Sequence, residues 1–368
     1  MMLAVHRVKA FPDFGRAEIG CFRESCASSG AGAKCRSRDA GNHSIFTPNR
    51  QQMPAVRTLI LLILLLPLVG LAGPQVLLVK KGGFPVYEEI AAIVSEKLST
   101  GCANSGDACS SLNVEHATLL DESGVADLFA SPDLRLIVAI GLEPSQLLRD
   151  RTLNIPILFT LIPRAAFVEH GLDKVGSMHS ALFLNQPIDR QFHLIQLIRP
   201  AGRNVGVLLG PKTSALTQSL ASASTSTGIP IKIRHIDKDQ EIGPALREIL
   251  DDRQFLLALP DPLIYNRRHI HDILLFSYYN QIPVIGFSAA YVSAGALIAV
   301  YSNSVDIGQQ IAEMIEEFVH VGQWSRLPMP AFPKYFRVAV NKEVSRALGF
   351  PLAGAEEIAQ QLRKMESQ

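Results

Sequence analysis

The sequence predicts an α/β protein of two doubly wound lobes between which the chain passes more than once. Two series of short, continuous apolar runs alternate with helix-period segments, the pattern of parallel strands covered by helices on both faces. After Ser288 the alternation breaks and a further strand, a long amphipathic helix and a last strand follow. The 368 residues exceed one ordinary domain and fit about two.

The first series opens with a buried strand over 75–80 and a helix over 86–98 whose stripe is Tyr87, Ile90, Ala91, Val94 and Leu98. Strands are expected at 134–140 and 155–160, the second announced by Asn154-Ile155-Pro156. Residues 174–187 hold no long linker and read as a strand crossing between lobes. The second series places strands at 205–210, 230–236, 255–260 and 283–288, and helices at 189–198, 214–224, 244–250 and 267–279. Then come a strand at 295–301, a helix capped by Ser304 with the stripe Ile307, Ile311, Met314, Ile315 and Phe318, and a strand at 335–340. A single lobe does not need this last unit, so the chain is expected to return to the first lobe and cross back. The expected division is 73–178 with 301–326 for lobe one, 179–300 with 327–352 for lobe two, and 353–368 as a polar tail.

Ahead of the first strand, Leu59 to Leu66 is wholly Leu and Ile, preceded by Arg57 and followed by small residues at Gly70 and Ala72. The run is short for a membrane span, which needs about 20 residues, and matches a secretory signal over 53–72 cleaved after Ala72. The mature chain is thus expected in the periplasm; a membrane anchor or a buried helix is the other reading of the same run. Pro74 stands where a lipidated cysteine belongs. Residues 1–52 lack periodicity, and Met53 is expected to be the initiator. Cys21, Cys26 and Cys35 have no paired histidines at zinc spacing. Cys102 and Cys109 flank a turn-rich stretch, and in an oxidising compartment they are expected to pair.

Composition excludes several classes. Hydrophobic residues make up 48% and charged ones 19%, which rules out a wholly disordered chain. A net charge of +1 supplies no general field for nucleic acid. Neither a GxxxxGK[ST] loop nor GxGxxG occurs. His269 and His271, near Asp272, lie two apart and share no helical face, against a metal site. Gly286-Phe287-Ser288-Ala289-Ala290 is similar to a nucleophile elbow, but a strand is expected soon after Ser288, and His320 is the only histidine downstream. A repressor needs a DNA-reading helix pair where the secretory segment stands.

Ligands of open α/β sheets bind beyond the carboxyl ends of the strands. In lobe one those ends give Gly83, Phe84, Gly141, Glu143 and Thr160; in lobe two they give Ser214, Asp261, Tyr265, Ser288 and Tyr291. Each also has an ordinary reading as a turn or capping residue. Asp261 and Tyr291 lead the set.

Leu259-Pro260-Asp261, Gln281-Ile282-Pro283-Val284-Ile285-Gly286, and Ser293-Ala294-Gly295-Ala296-Leu297 through Ile307-Gly308-Gln309-Gln310 resemble the substrate-binding protein family of ABC transporters related to tryptophan- and tyrosine-binding lipoproteins. Val138-Ala139-Ile140-Gly141, Ile155-Pro156-Ile157, residues 199–207 and residues 341–349 are similar to it as well, so the resemblance covers roughly 75–352. It implies a type I periplasmic-binding fold that closes on a small molecule, without cofactor or catalysis. The implied partner is an ABC permease, or a membrane sensor kinase or receptor for a sensing module. Asp261 stands where the family has an acidic cleft residue, which implies an ammonium partner. Two loops depart from the family. Ile162-Pro163-Arg164 replaces its Asp-Pro pair, and Lys81-Gly82-Gly83-Phe84-Pro85 differs from its first loop.

Overall fold

The computed structural model describes residues 75–105, 112–119, 129–151, 153–175, 178–199, 204–250, 254–320, 327 and 329–367, all within one compact unit. Residues 1–72, with the expected signal, and Cys109 lie outside the described residues, as does the side chain of Cys102.

The first sheet is parallel and ordered β2-β1-β3-β4-β5, from β1 (Gln75–Lys81), β2 (Asn113–Leu119), β3 (Leu134–Ile140), β4 (Ile157–Ile162) and β5 (His179–Phe183). Its helices are α1 (Pro85–Ser105), α2 (Leu142–Arg149) and α3 (Arg164–Glu169). Continuous runs become central strands because both faces are covered: Val76 and Leu78 join the core under α1, while Leu77 and Val79 join the core with Phe159 and Phe167. Each fully buried Leu or Ile contributes about 1.5–3 kcal/mol.

The second sheet is ordered β11-β10-β9-β8-β6-β7. In chain order it comprises α4 (Ile188–Ile198), β6 (Asn204–Leu209), α5 (Thr217–Thr227), β7 (Ile231–His235), α6 (Ile242–Ile249), β8 (Gln254–Leu257), α7 (Ile270–Tyr279), β9 (Val284–Gly286), α8 (Ala289–Ala294) and β10 (Ile298–Tyr301). After α9 (Ser304–His320) come β11 (Arg337–Val340), α10 (Lys342–Ala347) and α11 (Ala355–Glu366). Strand β11 is the antiparallel member. As expected, α9 returns to the first lobe, with Ile307, Ile311, Met314, Ile315 and Phe318 buried against α1. The extensive element-to-element packing lies within one lobe or the other.

Several expectations change. Strand β5 pairs with β4, so residues 179–183 belong to the first sheet, and the crossing falls at 184–187. Residues 355–366 are no tail: Ile358, Ala359 and Leu362 are buried against α4 and β11, an apolar stripe hidden among many charges. The side chain capping α9 is Asn303, whose Oδ1 accepts from Asp306 N–H at 2.9 Å, and Ser304 is the first helical residue. Strand β2 escaped notice because it is an edge strand with Ala117 as its one buried residue. The short helices α2 and α3 are additions to the expected set of helices.

The lobes are joined by crossings at 184–187, 302–303 and 329–336, and these are laced together. Gln186 Nε2 donates to Ser302 Oγ at 2.8 Å, and Ser302 Oγ donates to Tyr335 O at 2.5 Å. Ala331 lies beside Leu182 as a short parallel bridge on the first sheet. Arg190, 6% exposed, donates to both Glu366 carboxylate oxygens (2.6 and 2.8 Å), to Gln186 Oε1 (2.7 Å) and to Pro333 O (2.6 Å). Its guanidinium lies 4.2 Å from the Phe336 ring centroid. Asp306 on α9 accepts two bonds from Arg337 on β11, at 3.0 and 3.1 Å.

Removing one partner of a buried, hydrogen-bonded charge pair costs about 3–5 kcal/mol. Arg190→Ala is therefore expected to destabilise the protein by about 3 kcal/mol in urea unfolding, and a loss below about 1 kcal/mol contradicts this account of the hinge.

Candidate functional site

At the carboxyl edge of the first sheet, β1 ends in Lys81 and turns at Gly83, whose φ of +83° favours glycine. Phe84 follows, 44% exposed, its ring 5.2 Å from that of Tyr87. Lys81 Nζ lies 5.7 Å from the Phe84 centroid and 2.5 Å from Glu143 Oε2. Gly141 precedes α2 with φ +101°, and the Tyr87 hydroxyl lies 2.7 Å from where a Cβ would stand. Backbone and neighbour both demand glycine there. Burial, then the nearby Glu143 carboxylate, raises the Tyr87 pKa. Gly83, Phe84, Gly141 and Glu143 thus share one rim, with Lys81 and Tyr87 added to it. Thr160 does not: it is fully buried and donates to Ala139 O at 2.9 Å, inside the sheet.

The second lobe's rim is organised by Asp261. This carboxylate is 2% exposed, and it accepts from Lys212 N–H, the Thr213 hydroxyl and Leu263 N–H, each at 3.0 Å. A Cβ at Gly210 would stand 2.3 Å from its Oδ1, so the loop after β6 closes over it only because residue 210 is glycine. Three of the carboxylate's roughly four acceptor positions are thus used inside the rim. Ser214 is exposed on the same loop and donates to Pro211 O at 3.2 Å. Ser288 caps α8 by accepting from Tyr291 N–H at 3.2 Å.

Tyr265 and Tyr291 are buried and meet edge to face at 6.1 Å, with Phe287 4.7 Å from Tyr291. Neither hydroxyl has a hydrogen-bond partner among the described residues. Burial pushes both phenols up; for Tyr265, neighbouring Tyr291 and Asp261 add to it.

Among the described ion pairs, one joins α3 of the first lobe to the second rim. Glu169, at the end of α3, bonds to the Lys212 ammonium of the second lobe, and this hydrogen bond lowers the Glu169 pKa. Two concave regions each belong to a single lobe: about 510 Å³ beside α2, lined by Glu143, Gln146 and Asp150 among others, and about 480 Å³ around Leu263, Asn266 and Arg267.

Tyr87, Lys212 and Glu169 are additions to the residues expected from sequence, and Lys81 entered there only as the first residue of the departing loop. Lys81 ends an apolar strand and Tyr87 belongs to a helical stripe, so neither broke a pattern. The serine-hydrolase comparison needs one correction: α8 does follow Ser288 directly. What separates the residues is place, since Ser288 lies on the second lobe while Asp306, held by Arg337, and His320 are on α9 of the first. Among the described residues no three His, Cys, Asp or Glu side chains cluster at metal-binding range. No described helix is long and apolar enough to cross a membrane.

Comparisons with known proteins agree with this architecture. A family described as ABC transporter substrate binding protein matches residues 116–355, well over half the chain. No curated protein matches the sequence. Among solved structures, a ligand-free, open substrate-binding protein with adhesive properties from Clostridium difficile is similar at 19% identity and a TM-score of 0.60, covering 77% of this chain and 97% of that one. A conserved domain protein from Vibrio cholerae is 20% identical, with a TM-score of 0.51 over 78% of this chain and 97% of its own. An ABC domain in complex with L-Trp from Streptococcus pneumonia is 17% identical, with a TM-score of 0.50 over 78% and 98%. At these identities the likeness is one of fold, that of two-lobed type I periplasmic-binding proteins.

Two predictions follow from the second rim. Asp261→Ala leaves three donors unmet and is expected to cost about 2–4 kcal/mol in thermal unfolding without any ligand; unchanged stability contradicts the clamp. The two phenols hold their protons more tightly folded than unfolded. Their stabilisation is complete below pH about 10, the unfolded tyrosine pKa, and is lost as pH rises through the higher folded values. Tyr265→Phe and Tyr291→Phe should flatten that alkaline fall without loss of stability at pH 7, measured by denaturant unfolding across pH.

Proposed function

The chain belongs to the ABC transporter substrate-binding protein family, and from that premise we propose that it is exported, captures a small amphoteric molecule with an apolar or aromatic part between its lobes, and delivers it to an ABC permease. The observation that carries the ligand class is the first rim. Phe84 and Tyr87 form an aromatic shelf, and Lys81 and Glu143 stand beside it as a cation and an anion paired with each other. A ligand bearing both an ammonium and a carboxylate can replace each partner of that pair with one of its own groups, while its apolar part covers Phe84. The L-Trp held by the similar protein from Streptococcus pneumonia is a molecule of this kind. Ser214 and the edge of Phe287 offer the opposing surface on the second lobe. Closure follows if the ligand binds the closed form more tightly than the open one.

The test is a thermal-unfolding panel of amino acids, nucleosides, sugars and small anions, with L-Trp included. An amphoteric member is expected to raise the midpoint saturably, by about 2.7 kcal/mol of stability at 100 times its dissociation constant. Phe84→Ala and Lys81→Gln should each weaken that ligand about 10- to 100-fold, or about 1.4–2.7 kcal/mol. Binding of a sugar or nucleoside alone, indifferent to both substitutions, contradicts the proposed class.

A further inference from the structure

We propose that Lys212 and Glu169 form a latch between the lobes, so that a pair of protein charges, in addition to bound ligand, sets the resting balance of the two lobes. Three observations place it there. Strand β6, which leads to Lys212, lies beyond β8 and β9 from β10 and β11, the strands next to the crossings. On the first lobe Glu169 ends α3, whose first residue, Arg164, donates its N–H to Asn185 Oδ1 of the first crossing at 3.0 Å, so the pair ties a helix beside the hinge to a loop set away from it. Among the described ion pairs it is the one between lobes that reaches a strand beyond β8 and β9, the Asp306–Arg337 pair joining α9 to β11. Both charges also stand on anchored supports. Lys212 N–H is fixed by buried Asp261, and α3, which ends in Glu169, is pinned by Phe167, 4% exposed and packed on Phe159 and Phe183. Anchoring fixes the two backbones, so the ordering cost left to the pair is that of its side chains. The side chains themselves are half exposed, so salt and substitution reach them without touching a core.

The inference rests on the two-lobed reading above, and its test needs no ligand. The interlobe distance distribution of the full chain is measured by pulsed paramagnetic resonance, with labels introduced as non-natural residues on the outer faces of α2 and α7. Lys212→Glu and Glu169→Lys are each expected to shift the balance toward wider separations about two- to five-fold, the range of an exposed pair. The double exchange should restore the original distribution, and 0.5 M salt should shift the unaltered protein but not Lys212→Gln. Equal unfolding midpoints show that the fold is intact. Single variants indistinguishable from the parent, or a double exchange no better than either single, overturn the latch. A panel ligand that binds normally in that event leaves the functional reading standing, and a latch without any panel ligand leaves the lobes coupled but the ligand class wrong.

Discussion

Arg190 is the residue on which the two-lobed arrangement depends. Its guanidinium is buried where the first and third crossings pass, and it bonds at once to the first crossing, the third crossing and the last helix. A planar group with five donors in a fixed fork suits this task, and a lysine there would leave acceptors unmet. Gln186, held by Arg190, extends the lacing to Ser302 and so to the second crossing. Three passages fixed to one another make the seam between the lobes. The extensive packing stays inside each lobe, so the energetic cost of rotation falls on that seam rather than on the cores.

The rims obey the same economy of means. Buried polar groups need partners, and Asp261 shows how one carboxylate meets three donors while fixing the loop that carries Lys212 toward the other lobe. Tyr265 and Tyr291 are the counter-case, their buried hydroxyls without a partner among the described residues. Residues that look chemical in sequence are thus divided between building the rim and facing the space in front of it.

The lobes were legible because their central strands are buried on both faces and leave continuous apolar runs, as at 134–140, which is β3. The return of the chain through α9 was legible from its strong stripe. What escaped had a weaker physical signature. Edge strand β2 buries one residue, and α11 hides its apolar face among charges. The site was legible only by position. Strand ends put Gly83, Phe84, Gly141 and Glu143 on one edge of the first sheet, but could not say that the Thr160 hydroxyl turns into the sheet or that the Asp261 carboxylate accepts from Lys212 N–H and the Thr213 hydroxyl. Such distinctions depend on contacts between segments 21 to 49 residues apart, which no local pattern records.

The central claim is that one small molecule is held by both lobes at once. Backbone hydrogen exchange of the full chain, with and without whichever panel compound raises the unfolding midpoint, tests it most directly. The account predicts simultaneous protection of 82–84 and 141–143 on one rim and of 210–214 and 287–288 on the other. Protection confined to a single lobe, or centred on the outer groove near Asn266, would contradict it.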